Sequence, residues 1–414
     1  MSTSYKPTTN FYSELKSAEV YTAEERAPVC RDLIIRSMEL FKAPPRWLFL
    51  KITTEGGVVG WGEPIVEGRV DTVAACVKEL EYYLIGKSAG NIEEIWNLLY
   101  RCGFYRGGPV LMSAMAGIDQ ALWDIKGKYY GLPVYEFFGG AVRDKVKVYA
   151  PVRGVTREEK LASVAKRIEQ GYDTVKMGGF DKVDWVDSFR KVEKVVGDVA
   201  AIREKYGSSI DIAMDLHGRV HKGMARVLMH ELEPYHLLFI EEPVQHENIN
   251  AFRELKDYTS VPIATGERNM TRWECKELIT GGGIDIIQPD LSHAGGITEC
   301  RKIATFAETY DVSCAPHCPL GPLAFASCMQ IDLCTPNSTI QEQSFGVHNG
   351  EDSFGFEYLA DVGDIAYENG YVKKFKKPGL GVEINEEVVR EADKYSHNWK
   401  NPVLRQEDGS IAEW

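Results

Sequence analysis

From about Asp32 the apolar positions fall in short dense runs, Leu33-Ile34-Ile35, Trp47-Leu48-Phe49-Leu50-Lys51-Ile52 and Val58-Val59-Gly60-Trp61-Gly62. Such runs predict strands, and Glu55-Gly56-Gly57 between the last two supplies the backbone freedom of a hairpin turn. The period then lengthens to that of a helix over 70–84, 92–100 and 113–130. Strands followed by helices predict a small α+β domain.

After about Lys145 the pattern changes. Eight short β-rich runs, at 146–149, 174–177, 210–214, 237–240, 261–264, 284–287, 312–315 and 339–341, alternate with amphipathic stretches. Eight such runs in about 200 residues predict an α/β fold of the closed (β/α) barrel type, a TIM-like barrel. An open doubly wound sheet is the alternative. It would want a glycine-rich phosphate loop after its first strand, and none follows 146–149. Beyond the barrel, Lys377-Pro378-Gly379 marks a turn and 386–395 a helix, a tail able to return to the N-terminal domain. The expected division is an extension over 1–31, an N-terminal domain over 32–144, the barrel over 145–361 and a C-terminal segment over 362–414.

The chain of 414 residues has material for such a core, with 44% hydrophobic and 26% charged residues. Its 48 basic and 61 acidic residues leave a net charge of −13. An acidic surface argues against nucleic acid or an anionic membrane as partner. It would also repel an anionic substrate unless a bound cation reversed the sign locally. Nine cysteines lie scattered without zinc-type pairs and read as reduced core thiols, including Cys314 and Cys318 beside His317. The first residues lack the apolar stretch of a signal peptide and carry Glu14, Glu19, Glu24 and Glu25, which disfavours a mitochondrial presequence. No run approaches the roughly 18 apolar residues of a membrane span. A cytoplasmic protein is expected.

Barrel chemistry gathers where strands end. The polar groups expected there are Lys176, Asp215 with His217, Glu241 with Glu242, Glu267, Asp290, His317 and Glu342. Asp215, Glu241 and Glu267 sit on consecutive strands, 26 residues apart each time. A lone acid at a strand end commonly caps the next helix. Three in succession would repel one another unless a cation held them, and hard oxygen ligands suit Mg²⁺. Strand neighbours point to opposite faces, so Glu241 and Glu242 cannot both face inward, and spacing alone does not choose between them. Asp290 and His317 close adjacent strands, where a carboxylate would fix the imidazole's tautomer and raise its basicity. Glu342 could hydrogen-bond a developing oxyanion if its environment keeps it protonated. His217, two residues past Asp215, is expected on the same face, across the barrel from His317. A base on one wall and an acid on the other suits proton abstraction coupled to loss of a hydroxyl.

These residues lie in longer segments: Pro44-Pro45-Arg46-Trp47, Gly60-Trp61-Gly62-Glu63-Pro64, Phe104-Tyr105-Arg106-Gly107-Gly108-Pro109, Asp215-Leu216-His217-Gly218-Arg219 and Phe239-Ile240-Glu241-Glu242-Pro243. Further on come Gln288 to Gly296, Ala315 to Pro322, Gln341-Glu342-Gln343-Ser344 and the closing Asp408 to Trp414. Over roughly residues 32–414 the chain resembles the mandelate-racemase-like group of the enolase superfamily. The resemblance implies that the N-terminal domain, completed by the C-terminal tail, caps the barrel mouth and helps choose a small sugar-acid substrate. It implies that Asp215, Glu241 and Glu267 hold Mg²⁺, which selects Glu241 over Glu242. His317 would remove the proton α to the substrate carboxylate, with Asp290 raising its basicity. His217 would protonate the departing hydroxyl, Glu342 would stabilise the enolate, and Lys176 would contact substrate. A homo-oligomer is implied as well. One departure favours dehydration over racemisation: the position facing the same way after Lys176 is Gly178, so no Lys-x-Lys pair stands on the second strand.

Overall fold

The computed structural model describes residues 30–179, 182–343, 355–362 and 365–414, so most of the expected extension over 1–31, and Ser344, lie outside the described residues. Three antiparallel strands, β1 (Ile35–Ala43), β2 (Trp47–Thr54) and β3 (Val59–Gly62), form the first sheet in chain order. The turn between β2 and β3 falls at Glu55-Gly56-Gly57, with Gly57 at a φ of 79°. Helices α1 (Val70–Leu84), α2 (Ile92–Arg101) and α3 (Pro109–Tyr130) follow. Periodicity placed the third helix from Ser113, but it begins at Pro109, whose fixed φ suits a first helical residue. Helix α3 lies directly on β3. A Cβ added to Gly62 would fall 1.9 Å from the Gly117 carbonyl oxygen, and only glycine permits that approach.

Eight parallel strands then succeed one another: β4 (Lys145–Pro151), β5 (Thr174–Gly178), β6 (Asp211–Asp215), β7 (Phe239–Glu241), β8 (Ile263–Thr265), β9 (Ile286–Ile287), β10 (Ser313–Cys314) and β11 (Gln341–Glu342). Each overlaps one of the predicted runs. The connecting helices are α4 (Arg157–Glu169), α5 (Phe189–Tyr206), α6 (Lys222–Leu232), α7 (Ile249–Lys256), α8 (Arg272–Thr280), α9 (Gly296–Glu308) and α10 (Pro322–Cys334). Closure excludes the open sheet: β11 pairs with β4 at Gln341–Val148 and Glu342–Tyr149, while Ser338 bridges to Cys314 on the other side. The barrel is filled by Tyr149, Ala213, Phe239, Ala264, Ile286, Ala315 and Ile340, so it is a packed core and no pore.

The tail does return. Strands β12 (Leu359–Asp361) and β15 (Glu383–Ile384) pair antiparallel, and β13 (Tyr367–Glu368) with β14 (Tyr371–Lys373) form a hairpin on the early half of β4. Helix α11 (Glu386–Tyr395) lies on β1, where the Lys42 amide donates to Asp393 at 2.6 Å, and Lys51 of β2 pairs with Glu386 at 2.7 Å.

Cap and barrel are joined by buried polar bonds. Glu63, just past β3, accepts from the Gly321 and Ala324 amides at 2.7 and 3.1 Å, which satisfies the first turn of α10. Gln120 of α3 donates to the Leu291 carbonyl, and the Trp96 indole to that of Gly295, each at 2.9 Å.

Candidate active site

The filled interior fixes which side chains point up into the barrel mouth. Side chains two apart along a strand share a face, so the inward-facing Ala213, Phe239, Ala315 and Ile340 aim Asp215, Glu241, His317 and Glu342 the same way. Glu242 therefore points out of the barrel. It sits at a φ of 44° and accepts from Thr265 Oγ1 and the Gly266 amide, with Arg268 at 3.5 Å. Glu267 breaks the alternation. Gly266, at a φ of 137°, turns the chain after β8 and presents Glu267 one residue out of phase.

Lys176, Asp215, His217, Glu267, His317 and Glu342 line one cavity of about 850 Å³, with Glu241 buried beneath it. Near its floor the Lys176 ammonium reaches Glu342 Oε1 at 2.7 Å, Asp215 Oδ2 at 3.1 Å and Glu241 Oε2 at 3.1 Å. Burial alone would lower the lysine's proton affinity, but Glu241, Glu342 and Asp215 hold it well above the ordinary value. Burial, then repulsion from Asp215, pushes Glu241 well up. Asp215 is held low against its burial by His217 and Lys176. Glu342 is likewise held low against its burial by Lys176 and His317, and it accepts the Cys318 amide at 2.9 Å. A hydrogen bond from Glu342 to an oxyanion would need a proton that Lys176 and His317 pull against.

On one wall His317 Nδ1 lies 2.8 Å from Asp290 Oδ2, and the two residues form a parallel bridge beyond β9 and β10. The other ring nitrogen faces Glu267 Oε2 at 3.2 Å. Burial opposes protonation of this imidazole, yet Glu267, Glu342 and Asp290 raise its affinity well above normal. On the opposite wall His217 Nε2 lies 3.4 Å from Asp215 Oδ2. Strand alternation does not put it there, contrary to expectation. Strand β6 ends at Asp215, and His217 sits in a turn at a φ of 50°, held because Asp215 Oδ1 accepts its amide at 2.9 Å. Gly178 ends β5 beside Asp215, and a Cβ there would meet nothing within 4 Å.

Two of the three expected metal acids, Asp215 and Glu241, share the Lys176 ammonium, while Glu267 faces His317. Among the described residues no three carboxylate, imidazole or thiol groups converge in ligand geometry. The donor set nevertheless suits a hard dication. It is the buried Asp215 and Glu241 with the half-buried Glu267, whose Oε2 lacks a hydrogen bond, while burial and the Asp215 charge drive Glu241 toward protonation.

Sequence reasoning passed over His293 and Trp414. His293 lines the cavity, with Glu67 at 3.4 Å, Asp290 at 3.8 Å and Ser113 at 3.1 Å. Its place three residues after Asp290 was a usable signal. Trp414 had none, because residues 401–414 form no periodic element.

A capped barrel with acids and imidazoles on its strand tips defines a class of enzymes that work on small molecules beneath the cap. The chain belongs to the enolase superfamily, in its mandelate-racemase-like group: residues 26–139 match the mandelate racemase/muconate lactonizing enzyme N-terminal domain, and 160–388 the enolase C-terminal domain-like family. It is 53% identical over 380 residues to a D-galactonate dehydratase of Pectobacterium atrosepticum, and 50% identical to that of Ralstonia pickettii. In both cases 92% of this chain and all of the relative are covered. The crystal structure of an enolase from Agrobacterium radiobacter, bound to Na and L-malate, is similar with a TM-score of 0.85 at 30% identity, covering 92% of this chain and 100% of that one. No helix among the described residues is long and apolar enough to cross a membrane.

Proposed function

We propose that the chain is a carbon–oxygen lyase that dehydrates D-galactonate to 2-keto-3-deoxy-D-galactonate with Mg²⁺ as cofactor. The observation that carries the reading is the pair of imidazoles on opposite walls, each held by its own carboxylate: His317 on Asp290 at 2.8 Å and His217 on Asp215 at 3.4 Å. Similarity over the full length of two D-galactonate dehydratases supports the substrate.

His317 is the base that takes the proton α to the substrate carboxylate. Asp290 fixes its tautomer, so that Nε2 faces the cavity. His217 protonates the departing 3-hydroxyl from the other wall, and the resulting enol becomes the 2-keto acid. Asp215, Glu241 and Glu267 would hold Mg²⁺. Bound there, the ion would supply positive charge for the substrate's carboxylate end as the α-proton leaves. Lys176 contacts the substrate carboxylate end. Glu342 would hydrogen-bond the enolate once it carries a proton, beside the Lys176 ammonium at 2.7 Å. Racemisation is disfavoured because Lys176 is engaged by three acids and Gly178 offers no second base.

The test is incubation with D-galactonate and Mg²⁺, reading 2-keto acid. Turnover of D-gluconate or another aldonate in its place would move the assignment to that substrate. Inversion at C2 without water loss would make the protein an epimerase. Bound Mg²⁺, counted after equilibrium dialysis, should fall in Glu241→Gln and Glu267→Gln. A cytoplasmic setting, supported by nine free thiols, and a homo-oligomer, supported by the family resemblance, complete the reading. Light scattering tests the latter.

A further inference from the structure

Residues 401–414 leave α11 and come back over the barrel mouth. They fold as a small hairpin, with Arg405 bridged to Ile411 and the Ala412 amide donating to Leu404 at 3.0 Å. Two bonds fasten the hairpin to the loop after β5: Lys182 Nζ to the Arg405 carbonyl at 2.7 Å, and Gln406 Nε2 to the Val183 carbonyl at 3.0 Å. Its end delivers Trp414 into the cavity that holds Lys176, His217 and His317. There the indole stands edge-on to the His217 ring, with centroids 6.5 Å apart and planes at 87°. The Arg219 guanidinium lies 5.9 Å over the same indole.

His217 needs such a neighbour. Its side chain is 35% exposed, and it sits in a turn past the end of β6, so one flank is fixed by Asp215 and the other has no wall of its own element. A rotating imidazole delivers its proton in few of its orientations, and misplacement of a catalytic group by about 1 Å can cost about 100-fold in rate. An aromatic edge-to-face contact restricts that rotation at small entropic cost.

We propose that Trp414 is a positioning residue for His217, holding the imidazole against Asp215 and covering its outer side so that its proton is delivered into the cavity. The catalytic consequence rests on the reading of His217 as the acid. The contact itself does not.

Two measurements separate these. An imidazole edge against an indole perturbs its emission, so the Trp414 contribution, taken as the fluorescence difference between the wild type and Trp414→Phe, should change in intensity or emission maximum in His217→Ala, which removes the ring. A Trp414 signal identical in the wild type and His217→Ala overturns the contact. With D-galactonate in deuterated water, Trp414→Ala should lower dehydration about 10- to 100-fold while C2 exchange stays within about two-fold, and Trp414→Phe should restore most of the loss. Equal loss of both activities, or no loss of dehydration, overturns the positioning role. If the wild type neither exchanges nor dehydrates the substrate, the reaction assigned above fails, and the fluorescence result alone decides the contact.

Discussion

His317 is gripped by one carboxylate and confronted by another, and its removal should be felt by every step that needs the α-proton. His317→Asn should abolish both C2 exchange and dehydration, a loss of about 10²- to 10⁴-fold read by proton NMR in deuterated water. His217→Asn should stop dehydration while C2 exchange stays measurable. Loss of exchange as well would sink the division of labour. Lys176 carries a different kind of load. Lys176→Met leaves Asp215, Glu241 and Glu342 buried without their counter-ion, and should destabilise the metal-free protein by about 3–5 kcal/mol in urea titrations. The acids and the imidazoles were legible in the sequence because strand-end spacing puts them at one mouth. The grip of Lys176 was not, because spacing along one strand says nothing about how far a long side chain reaches across three others.

At the level of elements, patterning located the hairpin turn and every barrel strand, since each combines a β-rich run with flanking turn residues. It missed β12 to β15, strands of two or three residues that lack the regular alternation with helices marking the equally short barrel strands. Spacing put Glu267 at a strand end but could not give its direction, which is set by the φ of Gly266 rather than by alternation. The α3–β3 contact gives a sharp test. Gly62→Ala drives a methyl against the Gly117 carbonyl oxygen, and overpacking of this kind costs about 1–3 kcal/mol, so the urea midpoint should drop with the m-value unchanged.

Over the whole molecule, burial decides how stability follows pH. Burial pushes Glu63, Asp119 and Asp332 up to about 7 from ordinary values near 4. The native state therefore keeps protons that the unfolded chain has released, and stability falls as pH climbs from about 4 to about 7. His293, raised to about 9 against its burial by Asp290 and Glu67, extends the decline through that pH, since its stabilisation is full only below its unfolded value. Glu67 and Asp215, both held low against their burial, act oppositely and lose their contribution below about pH 4. Thermal midpoints should therefore peak on the acid side of neutrality, and Asp332→Asn should flatten the alkaline limb. A peak at pH 8 would contradict this. The opening turn of α10, finished by the Glu63 carboxylate, has a practical corollary. Strand order suggests two modules that an engineer could trade between relatives to retune which substrate is accepted. A transplanted lid lacking an acid at that spot would leave amide groups stranded in a dry seam, so the seam residue must travel with the graft.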